Sequence, residues 1–523
     1  MGRYINIGNK GFQSALNGEY IDKSGLISVV NHTLFTEQRF SCVTRSRRFG
    51  KSMAAKMLCA YYDQSCHSQS LFDGLAISHS PEYKTHLNRY PVIYLDMTPF
   101  VARSNGVSIV EKIDTQIKEE ILQLYPKCQS KPDEDLMDCL TSINVATGVQ
   151  FIFIIDEWDA ICREFSNSSK EMDNYVNWLR KLFKDVHSYS VFAGVYMTGI
   201  LPIKKYDTQS ALNNFVEYSM VEPMDMPQYF GFTHNEVLEL SERYSMDYND
   251  LEKWYDGYQI GDEKSIFNPN SVMMALKSRR CRSYWSGTGA FEAIASYIML
   301  KFDGLKDNII YLLGGGRVKV NTTKFQNDMS VIASKDDVLT VLIHLGNLSY
   351  DWHTEECYVP NYEVAGELKN AVEKTDWSVV IDALEQSERL LAATIRGDEN
   401  AVANGVSAIH DESTSILSYN DENSLACVLS IAYYYARNNY IIHRELASGK
   451  GYADLVLIPR KNVNSPAIII EMKYGKTAEE AISQIKRRDY ISKVTNFTHD
   501  ILFVGINYDR DTKEHQCRIE RQT

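Results

Sequence analysis

Residues 453–490 read ADLVLIPRKNVNSPAIIIEMKYGKTAEEAISQIKRRDY, and this stretch orders the reading of the whole chain. An apolar run opens at Asp454 and breaks in a turn-rich segment holding Asn462, Asn464, Ser465 and Pro466. A second run, Ala467 to Ile470, ends in Glu471-Met472-Lys473, and a helical pattern carrying Gln484 follows. Strand side chains alternate faces, so Glu471 and Lys473 share one face and Met472 takes the other. A hairpin that brings Asp454 alongside gathers two carboxylates and an ammonium at the edge of an apolar sheet. Charges in such a place are costly unless they pair or hold a metal. The grouping suits metal-assisted hydrolysis of a phosphodiester. An E-x-K pair alone is equally the mark of a solvated strand end. The added weight comes from Asp454, from Gln484, and from Glu422 at the opening of the preceding helix.

A second informative segment, FSCVTRSRRFGKSMAAKMLCAYY, starts at Phe40. A short apolar strand, Phe40 to Val43, runs into a basic loop, and Gly50-Lys51-Ser52 opens an amphipathic helix. A phosphate at that helix start meets free backbone N–H groups and the positive end of the dipole. Lys51 is placed to reach the β- and γ-phosphates, and the Ser52 hydroxyl to ligate Mg²⁺. The loop residues Arg47, Arg48 and Phe49 belong to the same expected nucleotide site. Arg45 stands where the strict motif has its first glycine, so the motif by itself is weak. Downstream, VQFIFIIDEWDA carries a continuous apolar run from Phe151 to Ile155 that ends in Asp156-Glu157. Such a run suits a strand buried on both faces of a parallel sheet, whose carboxyl end is where α/β folds bind ligands. Asp156 is expected to hold Mg²⁺ through its water shell, and Glu157 to orient or activate the attacking water. The plainer alternative is a buried strand followed by a helix start that favours acids. A third strand, SVFAGVYMTGI, ends in Thr198-Gly199, where Thr198 is either a γ-phosphate sensor of the kind related ATPases carry or a plain strand-end threonine.

Taken together, these motifs resemble a known family. Glu422, Asp454, Glu471, Lys473 and Gln484 follow the order of the PD-(D/E)xK nuclease superfamily, with Ala453 in place of the usual proline. YIDKSGLI, VTRSRRFGKS, IIDEWDA, MTGILPI, GFTHNEV, WYDGY, FNPNSV and YWSGTG resemble the bacterial family that joins an AAA-ATPase-like domain to a C-terminal PD-(D/E)xK domain. That family commonly shows T-R-P-R-R-F-G-K-[ST], so the missing glycine is normal for it, and Ser46 here replaces the proline. The resemblance implies an α/β fold. An AAA-like parallel sheet with a P-loop is expected over 1–220, a helical lid or linker over 221–404, and a restriction-endonuclease-like domain over 405–523. It further implies ATP and Mg²⁺ as cofactors and a nuclease site taking Mg²⁺ or Mn²⁺. Asp454, Glu471 and the Met472 carbonyl would hold that ion, with Glu422 supporting a second. Lys473 would position the water and Gln484 would brace the site. Asp22 and Lys23 would help shape the nucleotide pocket. The expected partner is nucleic acid, with DNA favoured, and a homo-oligomer is compatible with the architecture. The competing expectation is an ATP-dependent switch whose C-terminal fold binds nucleic acid or a protein without cutting.

Bulk properties agree with these expectations. A chain of 523 residues exceeds one ordinary core. Its 44% apolar and 24% charged content is ordinary for a soluble chain, and no apolar run approaches a membrane span. Ten cysteines are scattered without C-x-x-C pairs, which points to neither zinc nor a disulfide framework and to a reduced, cytoplasmic setting. The net charge of −13 is unevenly spread: residues 441–523 hold 14 Lys and Arg against 11 Asp and Glu, which leaves the rest at −16. An acidic remainder argues against broad, nonspecific coating of DNA and allows local engagement at one cleft. Lys486, Arg487 and Arg488 either track a phosphate backbone or form a solvated helix face. Of Tyr433, Tyr434 and Tyr435, consecutive on a helix, two are expected in the core. Arg163, six residues past Glu157, is a candidate arginine finger, although a surface salt bridge suits it better.

Overall fold

The computed structural model describes residues 2–102, 108–128, 134–164, 169–203, 212–285, 295–300, 302–313, 315–325, 332–373, 378–414, 429, 432–433, 436, 439–448, 451–459, 463, 465–487, 500–509, 512 and 514–522. They fall into two compact units, each built from separated stretches of chain. Residues 1–287 with 319–364 form the first, and residues 288–318 with 365–523 form the second. The stretch 221–404, expected as one intermediate region, therefore contributes to both.

The first unit is organised by five parallel strands, β1 (Phe40–Thr44), β2 (Val92–Asp96), β3 (Phe151–Asp156), β4 (Phe192–Gly199) and β5 (Val216–Tyr218). Their order is β2-β3-β4-β1-β5. Every residue of β3 is buried, because successive residues feed opposite cores. Phe153 and Ile155 pack with Ile113, Ile117 and Leu140, while Ile152 and Ile154 pack with Leu58, Tyr61 and Tyr62. Helix α1 (Lys51–Tyr62) follows β1 through a short loop, and α2 (Ala160–Glu164) follows β3. Beyond the sheet, β6 (Phe232–Thr233), β7 (Tyr258–Ile260) and β8 (Glu263–Phe267) form a small antiparallel sheet. Helix α3 (His234–Tyr244) starts at a capping box made by Thr233 and Glu236. Helix α4 (Pro269–Ser278) starts at Asn268, whose side chain accepts from the amides of Asn270 and Ser271, with proline at the first turn. A further three-stranded sheet contains β9 (Val318–Lys319), β10 (Ser349–Asp351) and β11 (Glu356–Tyr358). Glu236–Leu240 and Ala383–Ala393, whose apolar residues recur at helical spacing, lie inside helices.

The second unit carries a mixed sheet in chain order: β12 (Tyr440–Ser448), β13 (Gly451–Pro459), β14 (Ala467–Tyr474), β15 (Ile501–Tyr508) and β16 (His515–Gln522). Only the β14–β15 pair is parallel. One face packs Leu455, Leu457, Ile468, Ile470, Leu502 and Val504 against Leu390, Val402, Val406 and Ile409 of the helices Ser378–Arg396 and Glu399–Thr414. The other face packs Val456, Ile458, Ile469 and Phe503 against Ile482 and Ile485 of α5 (Ala478–Arg487). Strand alternation thus dictates which residues at the sheet end lie on the α5 side: the polar Asp454, Glu471, Lys473 and Asn507, with Gly505 among them. Tyr433 is core, its hydroxyl 2.9 Å from that of Thr394; Tyr434 and Tyr435 lie outside the described residues.

Candidate functional sites

The loop after β1 turns into α1 through Gly50, whose φ of 93° is left-handed; a Cβ there would meet nothing, so the backbone angle is what asks for glycine. Arg45 fills the place of the strict motif's first glycine with a fully buried guanidinium. Its Nη1 donates to the carbonyls of Thr44, Tyr218 and Ser219, at 2.9, 2.7 and 2.9 Å, and its charge lies over the ring of Phe230. The loop is therefore pinned by a side chain where other phosphate loops rely on a tight turn. The Lys51 ammonium donates to the carbonyls of Arg45 (2.9 Å) and Ser46 (3.0 Å) and stands 3.9 Å from Glu157 Oε1. Coulomb attraction at such a distance is about 4 kcal/mol at an effective dielectric near 20. Burial nevertheless outweighs it and lowers the Lys51 pKa below its usual value. The middle of the chain grips the rest of the loop. Phe49 is buried edge-on against Tyr258, and its carbonyl accepts from Gly231 N at 3.1 Å. Arg48 Nη1 donates to the Tyr284 carbonyl at 2.8 Å, and Asn268 reaches the Arg47 carbonyl at 3.4 Å.

Parallel register sets Asp96 beside Asp156, and the hydroxyl of Thr198 donates to Asp156 Oδ1 at 2.5 Å. The hydroxyl of Tyr94 approaches Asp156 Oδ2 at 3.4 Å. Glu157 turns the chain at φ 55°, and Trp158 N donates to the Thr198 carbonyl at 2.8 Å. A cavity of about 440 Å³ opens beside α1. Arg48, Phe49, Gly50, Lys51, Ser52 and Glu157 line it, whereas Arg47, Asp156 and Thr198 are not part of its wall. Apolar groups of Tyr20, Met57, Tyr229, Phe232 and Met273 complete the wall, and none of these was singled out from sequence. Lys23 also lines it and is tied at 2.7 Å to Glu236 and to the Gln228 carbonyl. Burial lowers the Lys23 pKa, and Glu236 opposes the shift.

In the second unit, Leu455 pairs with Ile470, which sets Asp454 one step further along the hairpin, at the level of Glu471. Asp454 Oδ2 accepts from the amide of Met472 at 2.6 Å. Lys473 Nζ donates to Glu471 Oε1 at 2.9 Å, and Gln484 Nε2 donates to the same oxygen. Asp454, Glu471, Lys473 and Gln484 are thus gathered at one sheet end, while Glu422 lies outside the described residues. Glu471 is 2% exposed, a burial a carboxylate tolerates only with such donors around it. Asn507, opposite Lys473 in register and 1% exposed, adds a polar group that sequence reading passed over. Its Oδ1 accepts from Lys476 N at 2.9 Å and so pins the turn between β14 and α5. The only sequence signal for it is a polar residue closing the apolar run ILFVGIN. Lys486 is paired with Glu520. Arg487 is exposed, and Arg488 lies outside the described residues. His443 is half-buried on β12, and the side chain of Glu445 is outside the description.

The donor sets fit a hard cation, since carboxylate, hydroxyl and carbonyl oxygens are what Mg²⁺ and Mn²⁺ take. Among the described residues no cluster of three or more His, Cys, Asp or Glu side chains could hold an ion. From the described residues, a divalent ion at either site would draw on two His, Cys, Asp or Glu side chains or fewer, with other oxygens and water completing its shell, as Mg²⁺ tolerates.

The first unit has the parallel sheet and loop-to-helix phosphate site of a P-loop nucleotide-binding fold, and the second has a mixed sheet of the restriction-endonuclease type. Residues 7–209 match the family described as predicted AAA-ATPase, and residues 420–517 match the PD-(D/E)XK nuclease superfamily. The chain therefore carries an AAA-ATPase-like domain followed by a PD-(D/E)XK nuclease-superfamily domain. It is 22% identical over 292 residues to an uncharacterized protein in the vnfD 5′ region of Azotobacter chroococcum mcd 1; the match covers 54% of this chain and 54% of that protein, about half of each. Among solved structures, it is similar to the ORC2 protein of Aeropyrum pernix in its ADPNP–ADP complexes. The TM-score is 0.29 at 11% identity, over 69% of this chain and 98% of that one. No helix among the described residues is long and apolar enough to cross a membrane.

Proposed function

We propose that the protein hydrolyses ATP at the cavity beside α1 and cuts nucleic-acid phosphodiesters, DNA foremost, at the end of the second unit's sheet. The observation that carries the reading is the meeting of Asp454, Glu471, Lys473 and Gln484 from β13, β14 and α5 at one sheet end. A divalent ion held by Asp454, Glu471 and the Met472 carbonyl, with Glu422 supporting a second, would supply a water of lowered pKa and charge stabilisation at the phosphate. Lys473 positions the attacking water beside Glu471, and Gln484 braces the Glu471 carboxylate. At the cavity, Lys51 exchanges its two loop carbonyls for β- and γ-phosphate oxygens, and the α1 amides cradle them. Arg47, Arg48, Phe49 and Gly50 shape the loop, while Ser52 and Asp156 would hold Mg²⁺. Thr198 senses the γ-phosphate through Asp156, and Glu157 orients the water. The apolar wall around Tyr20, Tyr229 and Met273 receives the base. A cytoplasmic setting is compatible with this reading. A homo-oligomer is compatible with this reading.

The test is cleavage of plasmid and oligonucleotide DNA with Mg²⁺ or Mn²⁺, beside Lys473→Ala. Loss of about a hundredfold or more in the variant is expected, the scale of removing a group that acts on the attacking water. Cleavage that persists in Lys473→Ala contradicts the assignment. Binding of nucleic acid without metal-dependent cleavage by the intact protein favours the ATP-dependent switch instead.

A further inference from the structure

IIDEWDA puts three carboxylates into four residues, and a metal ligand and a water-orienting group account for only two of them. The third, Asp159, is completely buried. Its Oδ2 accepts from the amides of Ile200 (3.2 Å) and Leu201 (3.0 Å), the two residues that follow β4. The same oxygen is 3.1 Å from Arg163 Nε, one helical turn on. Arg163 is the other unexplained group, and it is only 19% exposed. While Nε faces Asp159, Nη2 bonds Glu157 Oε2. The guanidinium therefore lies between a buried carboxylate, with which it forms an ion pair but no Nε hydrogen bond, and the carboxylate that lines the nucleotide cavity. Glu157 is left with Oε1 on the side of Lys51, at 3.9 Å.

This arrangement differs from an arginine finger, because the guanidinium is occupied within its own chain, by a hydrogen bond to Glu157 and an ion pair with Asp159. It differs also from a surface ion pair, whose two partners stand in water and contribute little. A planar fork fixes direction as well as distance, which a point charge on a flexible stem cannot do. Glu157 needs such fixing, since its backbone sits at φ 55°, a conformation that costs a non-glycine residue about 1 kcal/mol and leaves the side chain to be aimed by its contacts.

We infer that Arg163 is a positioning residue for ATP hydrolysis: anchored by buried Asp159 to the backbone beyond β4, it holds one oxygen of Glu157 so that the other addresses the attacking water. The inference rests on the ATPase reading. The strand that carries Thr198 is thereby connected to the water-orienting group through Ile200, Leu201, Asp159 and Arg163.

The experiment is a double-mutant cycle of Arg163→Ala and Glu157→Gln, following single-turnover ATP hydrolysis and the affinity for a fluorescent ATP analogue. Arg163→Ala is expected to slow hydrolysis about 10- to 100-fold, the range of a misaimed catalytic group, with analogue affinity within about twofold of wild type. In the Glu157→Gln background the same change is expected to have no further effect beyond about twofold, the behaviour of residues that act as one unit. Arg163→Lys, which keeps charge and bulk but cannot span both carboxylates, is expected to be slow as well, so a folding defect in the alanine variant does not decide the matter. Wild-type hydrolysis in Arg163→Lys, an equal fold-loss in the Glu157→Gln background, or a lost affinity for the analogue overturns the inference while the ATPase reading stands. Hydrolysis by the intact protein no faster than by Glu157→Gln overturns that reading and the inference with it.

Discussion

Asp256 keeps its carboxyl where few carboxylates settle. Burial drives its pKa from the usual value up to about 6, against the opposing pull of Gly257 N–H and the Ser265 hydroxyl. That hydroxyl donates to Oδ2 at 2.8 Å, while buried Oδ1 has no hydrogen-bond partner among the described residues. The sign follows from proton counting. With the folded pKa above the unfolded value, the native state binds more protons between the two, so stability falls as pH rises from about 4 to about 6. At most about 3 kcal/mol is involved, from roughly two pKa units. Asp256→Asn removes the titration and keeps the shape. Melting curves across pH 4 to 7 are expected to show wild type losing stability relative to the variant as pH rises; parallel curves contradict this. Asp156 and Glu157 stand out in sequence because they close an apolar run, a pattern that fits a phosphate-side acid pair and also a helix start that favours acids. Asp159 and Asp256 do not, since their meaning depends on which distant donors reach them.

Helix α5 shows the same limit one scale up. Its pattern was readable: acids Glu479 and Glu480 in the first turn, bases Lys486 and Arg487 in the last, and apolar residues facing inward. What carries it against the sheet was not readable. A Cβ at Gly505 would fall 2.3 Å from the Ala478 carbonyl oxygen and 3.0 Å from Ile482, so only glycine lets the helix start sit this close. Gly505→Ala is expected to lower stability by about 1–3 kcal/mol in urea unfolding, the cost of overpacking. It should also slow cleavage, because Gln484 rides on the displaced helix. Gly366→Ala, within the helix Tyr362–Glu373 and with nothing inside 4 Å, is the control; it is expected to leave cleavage unchanged and to raise stability by about 0.5–1 kcal/mol, since alanine favours a helix interior. Equal behaviour of the two variants removes the role given to Gly505. The phosphate loop offers a second case. Its basic run stands out in the sequence, but that Arg45, Arg48 and Phe49 are held by Tyr218, Tyr284 and Tyr258, partners far along the chain, does not.

At the scale of the whole molecule, the division into units followed neither charge nor composition. Residues of the middle region close over the phosphate loop, so part of that region packs with the first unit, and the cut expected near residue 220 falls inside it. Sequence order showed which motifs exist; it did not show that chain beyond 319 returns to the first unit. The acidic balance remains consistent with a protein that engages nucleic acid at one cleft, because several of the C-terminal bases are already paired: Lys486 with Glu520, Arg518 with Glu399, Arg521 with Asp500. The account depends most on Asp454 and Glu471 sharing an ion. Anomalous diffraction from crystals grown with Mn²⁺ tests this directly. A peak bonded to oxygens of both carboxylates at about 2.0–2.4 Å, the usual range for hard cations of this size, is the predicted result. Density with no such peak at saturating Mn²⁺, or an ion bound elsewhere in the second unit, contradicts it.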